Sequence, residues 1–324
     1  MRGKIFRQKM KKIAVLIPCY NEEKTIAGVV QDFRRQLPDA DIYVYDNNSE
    51  DGTAGAALTA GAIVRSEKRR GKGNVIRSMF KVVDADIYVM VDGDGTYPAG
   101  SVHDLVRPIA DGEADMVIGS RLHHTSESHF KPANRFGNRI FLSILNSIFK
   151  VRVTDLLSGY RAFNRNIVKS LPLLSSGFEI ETELTIKSLD RGFRVEEVPI
   201  NLIPRPEGSK SKIKIFRDGF LIFNTIFALF RDYKPLSAFG FVGLMLVSLG
   251  LVPGTIVIAE FLSTGLINRL PSAVLSVGLI LSGLLIAFVG LILHTISRRF
   301  QEIDSRLQNM TEQILTPNDK KRVD

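Results

Sequence analysis

Two long stretches without charge near the end of the chain constrain its fold more than any other feature. No Asp, Glu, Lys or Arg occurs from Leu236 to Ala259, and none occurs from Pro271 to Leu293. Each stretch is close to the ~20 residues that an α-helix needs to cross a bilayer. Two buried helices of a soluble protein are the alternative, but such helices rarely run this far without a polar face. The sequence therefore predicts two transmembrane helices within residues 234–296.

Basic residues around these stretches predict the orientation of the chain in the cell membrane. The loop between the spans, Glu260 to Leu270, holds one Glu and one Arg. The basic residues that flank the spans are more numerous: Lys210, Lys212, Lys214, Arg217, Arg231, Lys234, Arg298 and Arg299. Because basic flanks stay in the cytoplasm, both the N-terminal part and the tail, residues 297–324, are predicted to be cytoplasmic. Residues 1–12 are basic but precede only six apolar residues, so we expect a short extension and no signal peptide.

Composition excludes several classes of protein. The chain has 324 residues, 24% of them charged, in a mixed sequence that is unlike disordered or fibrous chains. Its single cysteine, Cys19, cannot form an internal disulfide, which excludes a disulfide-rich secreted scaffold. The net charge is +9. Because the basic residues are concentrated beside the spans and in short motifs with glycine and serine, we expect no nucleic-acid partner.

The first 120 residues alternate short β-branched runs with helical patterns. The predicted strands are Ile13–Ile17, Ile42–Tyr45, Ala62–Arg65, Ile87–Val91 and Met116–Ile118, and the predicted helices are Glu22–Leu37, Thr53–Ala60, Lys72–Val83 and Ser101–Ala110. This alternation is typical of an α/β fold with a doubly wound, mostly parallel sheet. Ligands bind beyond the carboxyl ends of the strands in such sheets, so the residues that follow each strand are the candidates for a site.

Two further segments have the pattern of amphipathic helices. In Asn134–Lys150 an apolar face is opposed by Arg and Asn residues, which suits a core helix and a membrane-surface helix equally well. Ile213–Tyr233 is rich in Phe and leads directly into the first span. We therefore expect this second segment to lie in the membrane interface. The tail is expected to form a short helix with a frayed end.

Two carboxylates follow the predicted strand Ile87–Val91. Asp92 and Asp94 are separated by one glycine. Paired carboxylates can hold a hard divalent cation, which in turn can hold a diphosphate. An Asp-Gly turn without ligands is the alternative, but the other strand ends are polar as well, which favours a site.

The ends of two other strands carry polar or basic residues. Asp46 ends the second strand and can accept hydrogen bonds from a nucleotide base, whereas helix capping explains Ser49, Asp51 and Thr53. Lys72 begins a helix between two glycines, where backbone amides, the helix dipole and the ammonium group can hold an anion. A solvated run of charge is the alternative there.

Together these motifs resemble the family 2 glycosyltransferases. More narrowly, the chain is similar to the polyprenyl-phosphate hexose synthases, the group that contains dolichol-phosphate mannose synthase and bactoprenol glucosyltransferase. The resemblance covers about residues 12–230 and the two spans. The motifs that carry it are Pro18–Glu22, Asp46–Thr53, Arg70–Gly73, Asp92–Asp94, Gly119–Arg121, Asp155–Arg161 and Arg205–Lys212.

The resemblance implies a role for each matching residue. The implied donor-binding residues are Pro18, Tyr20, Glu22, Asp46, Asn48, Lys72 and Asp92. The implied acceptor-phosphate residues are Arg121, Arg135, Arg161, Arg205, Ser211 and Lys212. Asp92 and Asp94 would hold Mg²⁺ or Mn²⁺, and the implied catalytic residues are Asp94, Arg121 and Asp155. Asp155 is either a base or a residue that orients Arg161, and both alternatives stay open.

Three departures from the family pattern concern these same motifs. The family often has Asp where this chain has Asn47, and Gln where this chain has Thr96, a poorer metal ligand that leaves a position to water. Two Ser-Lys pairs occur where the family has one, and we favour the second, Ser211 and Lys212.

The function that the resemblance implies is transfer of a hexose, with inversion, from a UDP- or GDP-sugar to a polyprenyl phosphate on the cytoplasmic leaflet. A GT-A-like catalytic domain would span residues 13–212, an interface helix 213–233 and the membrane helices 234–296. A lipid phosphate is mostly deprotonated at neutral pH, because its second pKa is ~6, so it needs no strong base. The alternatives are another lipid-linked or glycan acceptor, or a catalytically silent membrane scaffold that binds nucleotide sugar. The oligomeric state stays open.

Overall fold

The computed structural model describes residues 11–121, 146, 153–204, 227–228 and 230–315. The chain forms two compact units, residues 1–225 and 226–324. Several predicted features lie wholly or largely outside the described residues: the segments Asn134–Lys150 and Ile213–Tyr233, and the site residues Arg135, Arg205, Ser211 and Lys212.

The N-terminal unit is built on a seven-stranded sheet. Its strands are β1 (Ile13–Cys19), β2 (Asp41–Asp46), β3 (Ile63–Ser66), β4 (Ile87–Met90), β5 (Met116–Ser120), β6 (Arg161–Asn164) and β7 (Val195–Pro199). They are arranged in the order β3-β2-β1-β4-β6-β5-β7. Strand β6 runs antiparallel to both of its neighbours, β4 and β5, and the other pairs are parallel. The predicted doubly wound, mostly parallel fold is confirmed, with one antiparallel strand inserted into it.

Helices cover both faces of the sheet, which explains why β1 and β4, near its centre, are apolar along their whole length. The α-helices in the described part of this unit are α1 (Glu23–Gln36), α2 (Thr53–Thr59), α3 (Lys72–Val82), α4 (Val102–Asp111), α5 (Arg165–Ser170) and α6 (Ile180–Asp190). Val15, Ile17 and Val89 share a buried cluster with apolar residues of α1 and α4. Tyr88 points to the other face, because successive side chains alternate along a strand, and it packs there against Phe80 of α3.

Two long helices, α7 (Pro235–Thr264) and α8 (Leu270–Leu315), make up most of the described part of the C-terminal unit. Their small residues let the backbones approach closely, and the hydroxyl of Ser276 donates a hydrogen bond of 2.7 Å to the carbonyl of Gly250. Pro235–Thr264 and Leu270–Phe300 are long and apolar enough to cross a membrane. Only 17% of the most apolar window of each is buried, unlike a core helix of a soluble protein. Both predicted spans are therefore helices that suit a bilayer.

Candidate active site

A cavity of about 470 Å³ opens at the carboxyl ends of β1, β2, β4 and β5. This is the edge at which the alternation of strands and helices predicted a ligand site. Seven of the predicted site residues line the cavity: Pro18, Tyr20, Glu22, Lys72, Asp92, Asp94 and Arg121. The sequence motifs at separate strand ends therefore converge on one site.

The two carboxylates that follow β4 lie in the wall of this cavity. Asp94 is buried, and its Oδ1 accepts hydrogen bonds from the amide of Thr96, at 3.1 Å, and from the Thr96 hydroxyl, at 2.7 Å. Thr96 thus orients the carboxylate of Asp94. Asp92 is held close to the backbone of Gly159, where a Cβ atom would come within 2.4 Å of Asp92 Oδ2.

The carboxylate pair fits a hard divalent cation by the chemistry of its donors. Among the described residues there is no cluster of three or more His, Cys, Asp or Glu that would enclose a metal ion. Mg²⁺ and related ions are commonly held by one or two carboxylates, with substrate phosphates and water as the other ligands. Asp92 and Asp94 are such a pair, and the cavity beside them leaves room for those ligands.

Lys72, at the first position of α3, is enclosed between two carboxylates. Its Nζ forms ion pairs with Asp92 Oδ1 and with Glu181 Oε1 of α6, the second at 2.5 Å. Its side chain is only 10% exposed. Burial alone would lower the pKa of Lys72, but the charges of Asp92 and Glu181 outweigh it and raise the pKa overall. Lys72 is therefore a permanent cation at neutral pH.

Arg121 enters the cavity from the end of β5 and is fixed by Asp155. Its Nε and Nη2 donate to the two carboxylate oxygens at 2.7 and 2.9 Å, and its backbone amide donates at 3.0 Å. Burial alone would raise the pKa of Asp155, but the charge and hydrogen bonds of Arg121 outweigh it and lower the pKa overall. An ionised, bidentate partner is suited to positioning Arg121 and poorly suited to accepting a proton.

Arg161 is not part of the cavity wall. Its guanidinium is fully buried and donates to the carbonyls of Ser158 and Leu156 and to the hydroxyl of Thr185. A side chain with no exposed surface has nothing to offer a phosphate, so the predicted acceptor role of Arg161 is corrected to a structural one. Of the two alternatives left open for Asp155, the described contacts do not support a role in orienting Arg161, because the carboxylate of Asp155 pairs with Arg121.

The loop that follows β2 supports the basic loop before α3. Asn47 donates from Nδ2 to the carbonyls of Glu67 and Arg69, both at 2.8 Å, and its Oδ1 accepts from the amide of Gly71 at 2.7 Å. An Asp at position 47 would lack the two donors. Asp46 and Asn48 lie beside the cavity and do not line it, so their contact with a donor stays a prediction.

The comparisons with known proteins agree with this geometry. The sequence profile described as Glycosyl transferase family 2 matches residues 14–171. Glycosyltransferase AglJ from Haloferax volcanii is 34% identical over 299 residues, which are 92% of this chain and 98% of AglJ. The chain belongs to the family 2 glycosyltransferases. The resemblance that the sequence motifs indicated is thereby confirmed.

Two further likenesses place this glycosyltransferase among known proteins. A protein of Haloferax volcanii named dolichyl-phosphate hexose transferase is 28% identical over 214 residues, covering 66% of this chain and 92% of that protein. A crystal structure of glucosyl-3-phosphoglycerate synthase from Mycobacterium tuberculosis, in complex with Mn²⁺, UDP-glucose and phosphoglyceric acid, superposes with a TM-score of 0.59. At 24% identity, over 68% of this chain and 80% of the other, that likeness shows the fold.

Among the polar residues of the glycosyltransferase that line the cavity, sequence reasoning missed Tyr97 and Glu181. The helix dipole alone explains a carboxylate at the start of a helix, so the sequence gives no chemical role to Glu181. The structure separates it from its neighbours: Glu179 and Glu183 accept hydrogen bonds from backbone amides of residues 174–177. Glu179 and Glu183 are four residues apart and share one face of the helix, whereas Glu181 is two residues from each of them and faces another way. This spacing is the feature of the sequence that distinguishes Glu181 from the other two carboxylates.

Proposed function

We propose that this glycosyltransferase moves a hexose from a UDP- or GDP-linked sugar to the phosphate of a polyprenol, on the cytoplasmic leaflet and with inversion. The observation that carries the proposal is one cavity that holds a carboxylate pair suited to a metal-bound diphosphate beside an arginine held by a buried aspartate. The relative named dolichyl-phosphate hexose transferase and the two apolar helices support a lipid acceptor.

On the donor side, Asp92 and Asp94 would hold Mg²⁺ or Mn²⁺, and the Mn²⁺ and UDP-glucose of the structural neighbour support this assignment. Such an ion neutralises the charge that develops on the leaving diphosphate. Tyr20 and Glu22 follow β1 in the same cavity and are proposed to contact the nucleotide. Arg70 lines the cavity next to Lys72 and adds positive charge near the phosphates.

On the acceptor side, the reaction needs two anions to approach each other. A phosphate monoester is largely deprotonated at neutral pH, so its oxygen is already a nucleophile. Arg121 can hold such an oxygen and offset the repulsion between donor and acceptor, while Asp155 keeps the guanidinium in place. Arg135, Arg205, Ser211 and Lys212 stay proposed as further ligands of the acceptor phosphate.

The membrane arrangement is proposed from the two apolar helices and from the basic residues around them. The catalytic domain, residues 13–212, would be followed by an interface helix, residues 213–233, and by the spans within 234–296. The basic flanks favour a cytoplasmic location for the catalytic domain. Nucleotide sugar and lipid phosphate would both be available to the cavity on that side.

A transfer assay tests the proposal. Detergent-purified protein is incubated with undecaprenyl phosphate or dolichyl phosphate, a panel of UDP- and GDP-sugars, and Mg²⁺ or Mn²⁺, and the lipid fraction is analysed by mass spectrometry. We expect a polyprenyl phosphate carrying one hexose with one of the donors. A product that forms only with a diphosphate-linked glycan acceptor would replace the lipid-phosphate assignment, and no product with any acceptor would contradict transfer itself.

A further inference from the structure

The residues around Asp92 form a charge cluster that none of the roles above requires. Lys72 Nζ bridges Asp92 Oδ1 and Glu181 Oε1, and all three side chains line the same cavity. Asp92 is one of the two proposed metal ligands, yet a protein cation already occupies one of its oxygens. A divalent ion that binds at Asp92 therefore has to compete with the ammonium group of Lys72.

One carboxylate oxygen of Glu181 is available to accept a hydrogen bond from that ammonium group. Its Oε1 contacts Lys72, whereas its Oε2 is buried and accepts no hydrogen bond from the part of the chain that the structure describes. A buried acceptor without a hydrogen-bond partner is unfavourable, because it has lost its contact with water. An ammonium group has three donors and rotates freely at the end of a flexible stem, so it can contact both oxygens of one carboxylate.

Charge balance favours the same exchange. When Asp92, Asp94 and Glu181 are ionised, these three carboxylates and the ammonium group of Lys72 together carry two negative charges. One divalent cation neutralises two charges. The ammonium group of Lys72 can stay in the cluster when the cation binds. It has only to move from Asp92 towards Glu181.

We propose that Lys72 is an exchangeable counter-ion of Asp92, and that Glu181 holds its ammonium group when a divalent cation binds Asp92. Lys72 and Glu181 are then positioning residues that set metal affinity without being metal ligands. Glu181 acts on the metal through Lys72, and its Oε2, which accepts no hydrogen bond from the described residues, acquires one from the ammonium group. The inference rests on the proposed metal-dependent donor site.

A double-mutant cycle on Mn²⁺ binding tests the inference without a measurement of activity. Free Mn²⁺ is titrated by electron paramagnetic resonance against the full chain in detergent, with and without UDP or GDP. We expect Lys72→Met to raise Mn²⁺ affinity by about tenfold, because a competing charge is removed from Asp92. We expect Glu181→Gln to lower it by about tenfold, because Lys72 then stays on Asp92.

The decisive result is the behaviour of Glu181→Gln in the Lys72→Met background. If Glu181 acts through Lys72, its substitution changes Mn²⁺ affinity by less than about twofold in that background. If it lowers the affinity by the same factor in both backgrounds, Glu181 acts only through its own charge, and the inference is overturned. Arg70→Met, titrated without nucleotide, is the matched control, since Arg70 lines the cavity with an equal charge and pairs with Glu50 at 3.8 Å rather than with Asp92.

Two further outcomes are distinguishable. Equal gains in affinity for Arg70→Met and Lys72→Met would mean that any positive charge in the cavity acts alike, which also overturns the inference. A wild-type protein that binds no Mn²⁺, with or without nucleotide, would contradict the proposed metal dependence and the inference together. Circular dichroism melts verify that each variant folds, and Lys72→Gln, which can still donate hydrogen bonds to both carboxylates, replaces Lys72→Met if that variant does not accumulate.

Discussion

At the scale of single residues, the ion pair between Arg121 and Asp155 gives the clearest prediction of stability. Asp155 is buried and the Arg121 side chain is 22% exposed, so replacement of the aspartate leaves a largely enclosed cation without its charge partner. We expect Asp155→Asn to lower the free energy of unfolding by about 3 kcal/mol. The shift in melting temperature, followed by circular dichroism, measures this loss of stability. Asp84→Asn is the control, because its pair with Arg165 is exposed and is expected to contribute less than about 1 kcal/mol.

The lowered pKa of Asp155 gives this pair a defined pH dependence. An aspartate that ionises more readily in the folded than in the unfolded state stabilises the fold above its unfolded pKa of ~3.9. That stabilisation is lost as the pH falls through the lower, folded-state pKa. The difference in melting temperature between wild type and Asp155→Asn should therefore be constant from pH 8 to pH 5 and shrink below about pH 4. A difference that shrinks between pH 6 and pH 8 would mean that Asp155 takes up a proton there, as a base would.

A second residue-scale prediction concerns Asp94. Its carboxylate is oriented by Thr96 and is proposed to hold the metal-bound diphosphate. We expect Asp94→Asn to lower turnover by more than ~100-fold in the lipid-transfer assay, since a neutral amide does not replace that charge. Excess chelator should abolish transfer by the wild type. Asp104→Asn, at an exposed position of α4 outside the cavity wall, is the control and should keep wild-type turnover. Full activity of Asp94→Asn would contradict the proposal that the carboxylate pair holds the metal-bound diphosphate.

At the scale of elements, the contact between the start of α3 and the segment before α6 shapes the cavity. Gly73 donates from its amide to the carbonyl of Ser176, and a Cβ atom at Gly73 would lie 2.2 Å from the carbonyl oxygen of Ser175. Backbone atoms cannot move aside as the end of a side chain can. We expect Gly73→Ala to destabilise the fold by about 1–3 kcal/mol and to weaken nucleotide binding, measured by thermal melts and calorimetric titration.

The control for this prediction is another helical glycine, Gly28 of α1. It is exposed, and a Cβ atom there would meet nothing within 4 Å. Gly28→Ala should stabilise the protein by about 0.5–1 kcal/mol, because alanine is the better helix former. If both substitutions gave the same stabilisation, the close approach of α3 to residues 175 and 176 would not constrain the fold.

The elements also show which parts of the fold the sequence could predict. Strand β1 and helix α1 were predicted within two residues at each end, because local periodicity and helix-forming residues determine them. Strand β6 was not, since its antiparallel place between β4 and β5 depends on pairing with residues up to 77 positions away in sequence, from Asn164 to Ile87. Contacts between distant segments are also what the sequence could not predict at the candidate active site. Motifs located Asp92 and Arg121, whereas the partners of Arg121 and Lys72 on distant segments became visible only in the folded chain.

At the scale of the whole molecule, each unit has its own source of stability. The N-terminal unit has a continuous buried core on the sheet, whereas α7 and α8 pack on each other through small residues and expose apolar side chains along most of their length. Large exposed apolar surfaces need a partner other than water, and a bilayer matches their length. In the proposed membrane arrangement, the charges at the helix ends decide which side of the bilayer each end faces.

Thiol labelling tests that orientation, because Cys19 is buried and is the only cysteine of the chain. Leu266 lies exposed in the turn between α7 and α8, and Arg306 lies exposed near the end of α8. We expect a membrane-impermeant maleimide to label Leu266→Cys in intact cells and to label Arg306→Cys only after the cells are permeabilised, since basic flanks stay in the cytoplasm. The wild type, with Cys19 alone, is the control and should stay unlabelled in both conditions. The reverse pattern would put the catalytic domain on the other side of the membrane, away from cytoplasmic nucleotide sugars, and labelling of both positions in intact cells would mean that the pair of helices does not cross the bilayer.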